Sequence, residues 1–247
     1  MDSPFLHAHG LLRYIGLFLS GVCHQLPEHS IHLGGVQTPL CTRCTGTFLG
    51  ALLGLLYLWL RGRARAARLP PARVIAAQGV FFGSWAIDGL NSYLDFLPGI
   101  SGFYPPSDLL RLATGMLHGL SLSLLILPMF NFTFWREPDR QPVIQSLREL
   151  GGMLCQLAGV GLLLQARVEA LLYPLLVVQS FSVLLLLTIV NSMIVIILLR
   201  RENSAQRWKE ALLPLGVGLL LSFVEVGAMA ALRHLLSPGL TIHGTPV

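Results

Sequence analysis

Charged side chains are scarce in this sequence of 247 residues: Asp, Glu, Lys and Arg make up 12% of it, whereas hydrophobic residues make up 53%. Soluble domains carry on average about a quarter charged residues. Half that fraction leaves too little polar surface to keep a chain with a mean hydropathy of +0.67 in solution. The sequence therefore predicts an integral membrane protein and argues against a soluble domain.

The sequence also lacks long polar linkers, internal repeats and low-complexity tracts, so we treat residues 1–247 as a single integral membrane domain. Its apolar runs are rich in Leu and Ala and approach the ~20 residues that a membrane helix needs, without the alternation of barrel strands. The predicted fold class is an all-α polytopic membrane protein with about seven transmembrane helices, or six or eight if a short run is re-entrant. The predicted spans are Pro4–Val22, Thr45–Leu60, Val74–Leu90, Leu109–Phe130, Leu150–Gln165, Leu171–Leu199 and Ala211–Leu232.

Basic residues are unevenly divided between the two sides of this topology. Three loops on one side hold most of the 17 Lys and Arg residues, and the other side has only Arg43, Arg111, Arg167 and Arg233. The positive-inside rule then places the amino terminus in the cytoplasm and the carboxyl terminus outside a plasma (inner) membrane. The net charge of +5 does not indicate nucleic acid, because anionic lipid explains basic residues in short inner loops. The expected partner is the lipid bilayer.

Only four cysteines are present, and three of them lie in the first predicted outer loop. Cys41 and Cys44 form a Cys-x-x-Cys pair, which can present two thiolates to one metal ion. Cys23 and His24 arrive from the end of the first span. Three sulfurs and one imidazole can complete a tetrahedral zinc site, so the loop predicts zinc as a cofactor.

Two other interpretations of the cysteines stay open. A disulfide could staple an outer loop in an oxidising compartment, although three cysteines would leave one unpaired. Cys41 and Cys44 could instead be redox-active thiols, although no thioredoxin-like pattern of strand and helix surrounds them. Within the metal interpretation, His29 or His32 could replace His24 as the nitrogen ligand.

The loop resembles a family of prokaryotic membrane proteins called domain of unknown function 2085. The resemblance covers roughly residues 20–120 and rests on Cys-His-Gln-x-Pro, on Cys-x-Arg-Cys-x-Gly, and on an apolar helix containing Gly50. In this family we expect arginine before Ser30, whereas this chain has His29. The difference puts in doubt any role of this position in anion binding. The resemblance implies a membrane protein and no particular activity. Weaker matching fragments are Asp88-Gly89 with Asn91, and Arg111 with Thr114-Gly115 and Gly119.

Ionisable residues at the outer ends of the predicted spans point to the same region. Asp88 lies near the end of the third span, and Arg111 begins the fourth, with Thr114 and His118 on the same helix face. Such groups usually pair or line a polar cavity, so we expect Asp88 to pair with Arg111. The loop between these spans, residues 95–108, is broken by Pro and Gly and is predicted to cap this region.

Glu225 is a separate candidate, because it lies within the last predicted span. An intramembrane carboxylate suggests a functional site unless it finds a structural partner, and Arg167 or Arg111 could be that partner. The alternative is a protonated, hydrogen-bonded acid.

Two classes of function fit these residues. In the first, a membrane enzyme acts on a lipid-like or anionic substrate: zinc lies in the Cys/His loop, Asp88 and Asn91 take part in catalysis, and Arg111 binds the anion. In the second, a binding or transport protein has a structural Cys/His loop and a polar pocket. The polar residues cluster at one end of the helices, which favours a site near the membrane surface over a full channel. The sequence names no substrate or oligomeric state.

Overall fold

A computed structural model describes residues 10–95, 97 and 101–236. Helices dominate this part of the chain, and four short strands form two small sheets. The strands are β1 (Ser30–Leu33), β2 (Val36–Cys41), β3 (Ala66–Arg68) and β4 (Asp139–Pro142). The seven α-helices of the described residues are α1 (Gly10–Leu19), α2 (Thr42–Leu60), α3 (Ala72–Leu94), α4 (Asp108–Phe134), α5 (Leu147–Gln165), α6 (Leu172–Leu198) and α7 (Leu212–Leu236).

Five of these helices are long and apolar enough to cross a membrane, which confirms the predicted protein class. They are α2, α4, α5, and the helices α6 and α7 with the short turns that precede them. Helices α1 and α3 are not among the helices long and apolar enough to cross a membrane. The 23 residues of α3 include Gln78, Asp88 and Asn91, which lower its hydropathy, and α1 has only 10 described residues. Residues 4–9 of the first predicted span lie outside the described residues.

Contacts between helix ends show that successive helices run in opposite directions. The side chain of Arg43, in the first turn of α2, binds Asp88, which lies in the second half of α3. Arg233, near the end of α7, binds backbone carbonyls that follow α1, including that of Cys23. The end of α1, the start of α2 and the ends of α3 and α7 therefore lie together. We call this the cysteine end of the bundle, because residues 23–44 are there.

The opposite end is held by arginine and asparagine side chains. Arg63 forms a two-pronged ion pair with Glu149, at 2.8 and 2.9 Å, and so joins the loop after α2 to the first turn of α5. The amide nitrogen of Asn131 in α4 donates to the carbonyl oxygens of Ala64 and Ala66. We call this the arginine end. Strands β3 and β4 pair in parallel there.

Helices α2 and α4 form the tightest contact of the bundle, because glycines line both sides of it. A Cβ atom added to Gly46 would lie 2.5 Å from the carbonyl oxygen of Leu112, and one added at Gly119 would overlap the carbonyl oxygen of Thr47. Small residues spaced four apart allow such an approach in membranes. Gly46, Gly50 and Gly54 form this stripe in α2, and the partner stripe in α4 includes Gly115.

We expect Gly119→Ala to destabilise the protein, although alanine favours helix. The added methyl group would collide with the backbone of α2, and overpacking of this kind costs about 1–3 kcal/mol. The matched control is Gly79→Ala in α3, where no atom of the neighbouring described residues lies within 4 Å of the new methyl group. Thermal unfolding in detergent, followed by circular dichroism, should show a lower Tm for Gly119→Ala than for the control. Equal Tm values would contradict the close α2–α4 packing.

Candidate metal centre

Three separate elements bring three cysteines together at the cysteine end. Cys23 lies in the turn that follows α1, Cys41 is the last residue of β2, and Cys44 is in the first turn of α2. The hairpin of β1 and β2 reverses the chain so that Ser30 lies opposite Cys41. The three sulfur atoms lie within 4.8 Å of one another, and none of them is in a disulfide.

Backbone groups direct partial positive charge at this sulfur cluster. Cys23 is buried, with 5% of the residue exposed. Its sulfur accepts hydrogen bonds from the backbone N–H groups of Gln25 at 3.4 Å and Cys41 at 3.2 Å. Cys41 and Cys44 lie at the amino-terminal end of α2, where the helix dipole favours negative charge. The arrangement can stabilise thiolate, the form of cysteine that binds metals.

The thiols also act on one another. Hydrogen bonds from Cys23 and Cys44 hold the pKa of the Cys41 thiol well below its ordinary value. The hydrogen bond with Cys41 raises the pKa of Cys23 to about 12. Cys41 therefore loses its proton more readily than Cys23 does.

Gln25 fixes the turn that carries Cys23. Its backbone has a φ of 58°, in the left-handed region, and its buried side chain donates to the carbonyl oxygens of Gly16 at 2.7 Å and Pro39 at 2.9 Å. These bonds tie α1 to the strand that leads to Cys41. Gln25 was not among the site residues predicted from the sequence. Its place in the Cys-His-Gln-x-Pro motif was the signal that could have indicated its role.

Arg233 closes the same turn from α7. Its guanidinium donates to the carbonyl oxygens of Ser20, Cys23 and His24, at 3.1, 2.5 and 2.7 Å. Arg233 is one of four basic residues on the predicted side that is poor in basic charge, which is a weak signal for this role. The contact links the last helix directly to the cysteine turn.

His24 is not part of the sulfur cluster. Among the described residues the group consists of Cys23, Cys41 and Cys44, with no imidazole or carboxylate in it. The side chain of His24 is exposed, while Arg233 holds its carbonyl oxygen. The structure therefore brings together the three sulfur ligands of the predicted four-ligand set.

Asp88 pairs with Arg43 and not with Arg111, which corrects the expected ion pair. The Nε atom of Arg43 lies 2.9 Å from Oδ2 of Asp88, and Nη2 donates to the same oxygen and to the Ser92 hydroxyl. Asp88 is 1% exposed. Since Arg43 stands between Cys41 and Cys44 in the sequence, this buried pair connects the sulfur cluster to α3.

The loop before α4 covers Asp88, as predicted. The Tyr104 hydroxyl donates to Oδ1 of Asp88 at 3.2 Å. Burial raises the pKa of that hydroxyl, and the negative charge of Asp88 raises it further. The side-chain amide of Asn91 bonds to both the N–H and the carbonyl of Tyr104. The Thr114 hydroxyl lies 3.4 Å from Oδ2 of Asp88. Asp88 and Asn91 thus hold the cap in place.

Arg111 is buried beside this ion pair with little compensation for its charge. It is 4% exposed, its Nη1 lies 3.7 Å from Asp108, and its Nε has no hydrogen-bond partner among the described residues. Asp108 also forms an ion pair with Arg167, whose Nη2 lies 3.3 Å from Oδ2. Burial lowers the pKa of His29, and the charge of Arg111 lowers it further.

His118 lies two turns further along α4 and makes aromatic contacts. Its ring stacks on Trp85 at 4.1 Å between centroids, with Phe82 at its edge. Its Nδ1 has no hydrogen-bond partner within the described part of the chain. His118 therefore joins α3 to α4 and is not among the contacts of Asp88.

Sequence comparison connects this site to known proteins. The family described as "Predicted membrane protein (DUF2085)" matches residues 23–125. An uncharacterized protein of Methanothermobacter thermautotrophicus is 30% identical over 104 residues, which are 42% of this chain and 83% of the relative. The chain belongs to this family. A second relative, an uncharacterized protein of Methanocaldococcus jannaschii, is 25% identical over 109 residues, or 44% of this chain and 64% of the relative. No solved structure matches the chain.

The segment matched to the DUF2085 family includes the three clustered cysteines and the Arg43–Asp88 pair, but not the last three helices. Arg233 and Glu225 therefore lie outside the matched segment. Among the described residues Glu225 forms no ion pair with Arg167 or Arg111, and its Oε2 accepts a hydrogen bond from the amide of Asn191 at 3.2 Å.

Proposed function

We propose that this protein is a multi-pass plasma-membrane enzyme that binds a zinc ion at its cysteine end and acts there on an anionic, lipid-like substrate. The observation that carries the proposal is the meeting of three cysteine sulfurs within 4.8 Å. Thiolates are soft ligands that select zinc and other thiophilic metals. Around a tetrahedral zinc with bonds of ~2.3 Å, two sulfurs are separated by roughly 3.8 Å, which is compatible with this cluster.

The fourth zinc position is open in this proposal. His24 is exposed and lies outside the sulfur group, so a water molecule or the substrate itself would complete the tetrahedron. Zinc sites that keep such a position are typical of catalysis, whereas sites with four protein ligands are structural. A zinc-bound water is more acidic than free water and can act as a nucleophile near neutral pH.

Arg111 supports an anionic substrate. Among the described residues the buried Nε of Arg111 has no hydrogen-bond partner and Asp108 lies 3.7 Å from Nη1, so the guanidinium has donors available for a phosphate or carboxylate group. Lipid phosphates are the most abundant anions at a membrane surface, and the side chain lies at the same end of the bundle as the cysteines. His29 would add a second polar contact to the bound anion.

In this proposal Asp88 and Asn91 hold the loop before α4 in position beside the site. The carboxylate oxygens of Asp88 already accept hydrogen bonds from Arg43, Tyr104 and Thr114. Asn91 uses its amide to hold the backbone of Tyr104. We therefore assign them positioning roles in this proposal, in place of the catalytic roles expected from the sequence.

The membrane orientation belongs to the same proposal. Seven helices that alternate in direction, with basic residues concentrated at the arginine end, support a cytoplasmic amino terminus and a cysteine end that faces outside. The zinc site would then face the outer leaflet. In that compartment three nearby thiols would be exposed to oxidation, and bound metal would protect them.

Metal analysis of the purified protein tests this function. Wild-type protein extracted in detergent, without chelators, should contain about one zinc per chain. The thiols of Cys23, Cys41 and Cys44 should react with a thiol reagent only after a chelator removes the metal. Cys155 lies outside the cluster in the membrane-spanning helix α5, so it is replaced by serine in this experiment and only the three clustered thiols are counted.

Thiol–disulfide exchange is the second candidate, and the lowered pKa of Cys41 favours it. A thiolate at neutral pH is the attacking species in such exchange. Protein that contains no metal, and that forms a reversible Cys41–Cys44 disulfide, would support exchange and exclude the zinc site.

A further inference from the structure

A large cavity opens at the arginine end, on the opposite side of the bundle from the cysteines. Its volume is about 1260 Å³. Ligand pockets are typically ~300–1,000 Å³, so this cavity has room for a small polar molecule or a lipid headgroup. The loop after α2, the loop after α4 and the segment before α7 all contribute to its lining. The lining residues with charged or aromatic side chains are Trp59, Arg65, Arg136, Glu137, Asp139 and Trp208.

Backbone pairing holds these three segments together and sets the shape of the cavity. Strands β3 and β4 pair in parallel, with Ala66 opposite Asp139. Trp135 forms a bridge with Ala205, and the backbone N–H of Arg136 donates to the carbonyl oxygen of Ala205 at 2.9 Å. The side chains that line the cavity therefore start from fixed positions of the backbone.

Arg65 is held against an aromatic ring beside the cavity. The carbon atom of its guanidinium lies 3.9 Å from the centroid of the Trp135 ring. That ring is buried, its Nε1 donates to Oδ1 of Asn131 at 3.0 Å, and Trp208 packs edge-on against it. A guanidinium that stacks on a ring uses one face and keeps the N–H groups at its edge available. Arg65 can therefore bind an anion without being reoriented.

The cavity has charges of both signs that do not neutralise one another. Among the described residues, none of its two arginines and two carboxylates takes part in an ion pair. Asp139 accepts a hydrogen bond from the backbone N–H of Gln141 at 3.0 Å, which orients its carboxylate. A ligand with a single charge would be repelled by one of the two pairs. A ligand that carries a negative and a positive group matches both pairs.

The two tryptophans connect the cavity to the membrane surface. Trp59 lies in the last turn of α2, and Trp208 opens the membrane-length segment Trp208–Leu236. Both side chains are exposed. Tryptophans at the ends of membrane helices are typically found at the level of the lipid headgroups. A headgroup can therefore reach the cavity directly from the bilayer.

We propose that this cavity binds the phosphoethanolamine headgroup of an aminophospholipid. Arg65 and Arg136 bind the phosphate, whose oxygen atoms match the planar donors of a guanidinium. Glu137 and Asp139 accept hydrogen bonds from the primary ammonium group, which has three N–H donors. The site is independent of the proposed zinc function, because it lies at the other end of the bundle and shares no residue with it.

Native mass spectrometry of the full-length protein in detergent tests the site with three lipids that have the same acyl chains. Phosphatidylethanolamine has both required groups. Phosphatidylcholine has the same phosphate but a quaternary ammonium without N–H, and phosphatidylglycerol has the phosphate without a cation. Phosphatidylethanolamine should bind roughly fivefold more tightly than either, which is the effect expected of an exposed ion pair.

Removal of the acidic charges should change which lipid is preferred. Glu137→Gln, alone and together with Asp139→Asn, should abolish the preference for phosphatidylethanolamine over phosphatidylglycerol. Asparagine at position 139 keeps an oxygen atom for the N–H of Gln141, so the loop is preserved. The matched control is Glu202→Gln, which removes the same charge at an exposed residue outside the cavity lining and should keep the preference.

Removal of a basic charge should weaken binding of all three lipids. Arg136→Gln is expected to reduce each affinity by roughly fivefold, because every one of them carries a phosphate. Its control is Arg140→Gln, four residues further along, where the exposed arginine is not part of the cavity lining. Circular dichroism of each variant shows whether the helical fold is retained.

Soluble phosphoethanolamine distinguishes a lipid from a free metabolite as the source of the headgroup. It should displace bound phosphatidylethanolamine only in large excess, and displacement at the lipid's own concentration would overturn the assignment to a lipid. Equal affinities for the three lipids would overturn the site, and so would an equal loss of binding in Arg136→Gln and Arg140→Gln. Binding of phosphatidylcholine as tight as that of phosphatidylethanolamine would exclude the role of Glu137 and Asp139.

Discussion

Replacement of Cys41 by serine is expected to reduce bound zinc from about one ion per chain to nearly none, whereas His24→Ala should keep it. A serine hydroxyl is a hard ligand that stays protonated near neutral pH, so two sulfurs would remain to hold the ion. His24 lies outside the sulfur cluster and its side chain is exposed. The measurement is zinc per chain by mass spectrometry of the purified variants.

The control for this experiment is Cys155→Ser, which removes a cysteine far from the cluster and should retain full zinc content. Cys23→Ser should behave like Cys41→Ser, because both sulfurs belong to the same group. Loss of zinc in His24→Ala would show that the imidazole swings into the fourth position and that the site is closed. Full zinc in both cysteine variants would exclude the site.

Asp88→Ala is expected to lower the free energy of unfolding by about 3 kcal/mol, because it leaves the Arg43 guanidinium without its carboxylate in a buried position. This value is at the lower end for buried pairs, since the side chain of Arg43 is 20% exposed and can reach some solvent. The Tyr104 hydroxyl would also lose its acceptor. Unfolding of detergent-solubilised protein by a denaturing detergent, followed by circular dichroism, measures the change.

A double-mutant cycle identifies the partner of Asp88. The cycle with Arg43→Met should give a coupling energy of more than about 1 kcal/mol, because removal of both charges leaves no buried charge unpaired. The same cycle with Arg111→Met should give a much smaller value, because Arg111 has its ion pair with Asp108. Stronger coupling to Arg111 than to Arg43 would mean that the original expectation from the sequence was correct.

The α2–α4 contact shows where local pattern was sufficient. Gly46, Gly50 and Gly54 of α2 are four residues apart, a spacing typical of close helix packing in membranes, because a helix repeats its surface about every four residues. The structure adds that Gly115 and Gly119 of α4 provide the opposing surface. The helix boundaries were similarly accessible, since apolar length and composition are local properties of the chain.

The choice of ion-pair partner shows where local pattern failed. Asp88 and Arg111 are joined by one loop, so proximity in the sequence favoured them. Arg43, 45 residues before Asp88, reaches it because the α2–α4 contact and the α3–α4 contact bring three helix ends together. The rotation of each helix about its axis decides which side chain faces Asp88, and packing sets that rotation.

By itself, the sequence determined that this protein belongs in a membrane, which segments are helical, and that Cys23, Cys41 and Cys44 are the residues to consider for a metal. These conclusions follow from composition, from the periodicity of apolar residues and from the spacing of cysteines, all of which are properties of short stretches of chain. Only the tertiary structure decided that His24 stands outside the sulfur group and that Arg43 neutralises Asp88. Those outcomes depend on a left-handed turn at Gln25 and on the relative rotation of packed helices, which join residues that are distant in the sequence.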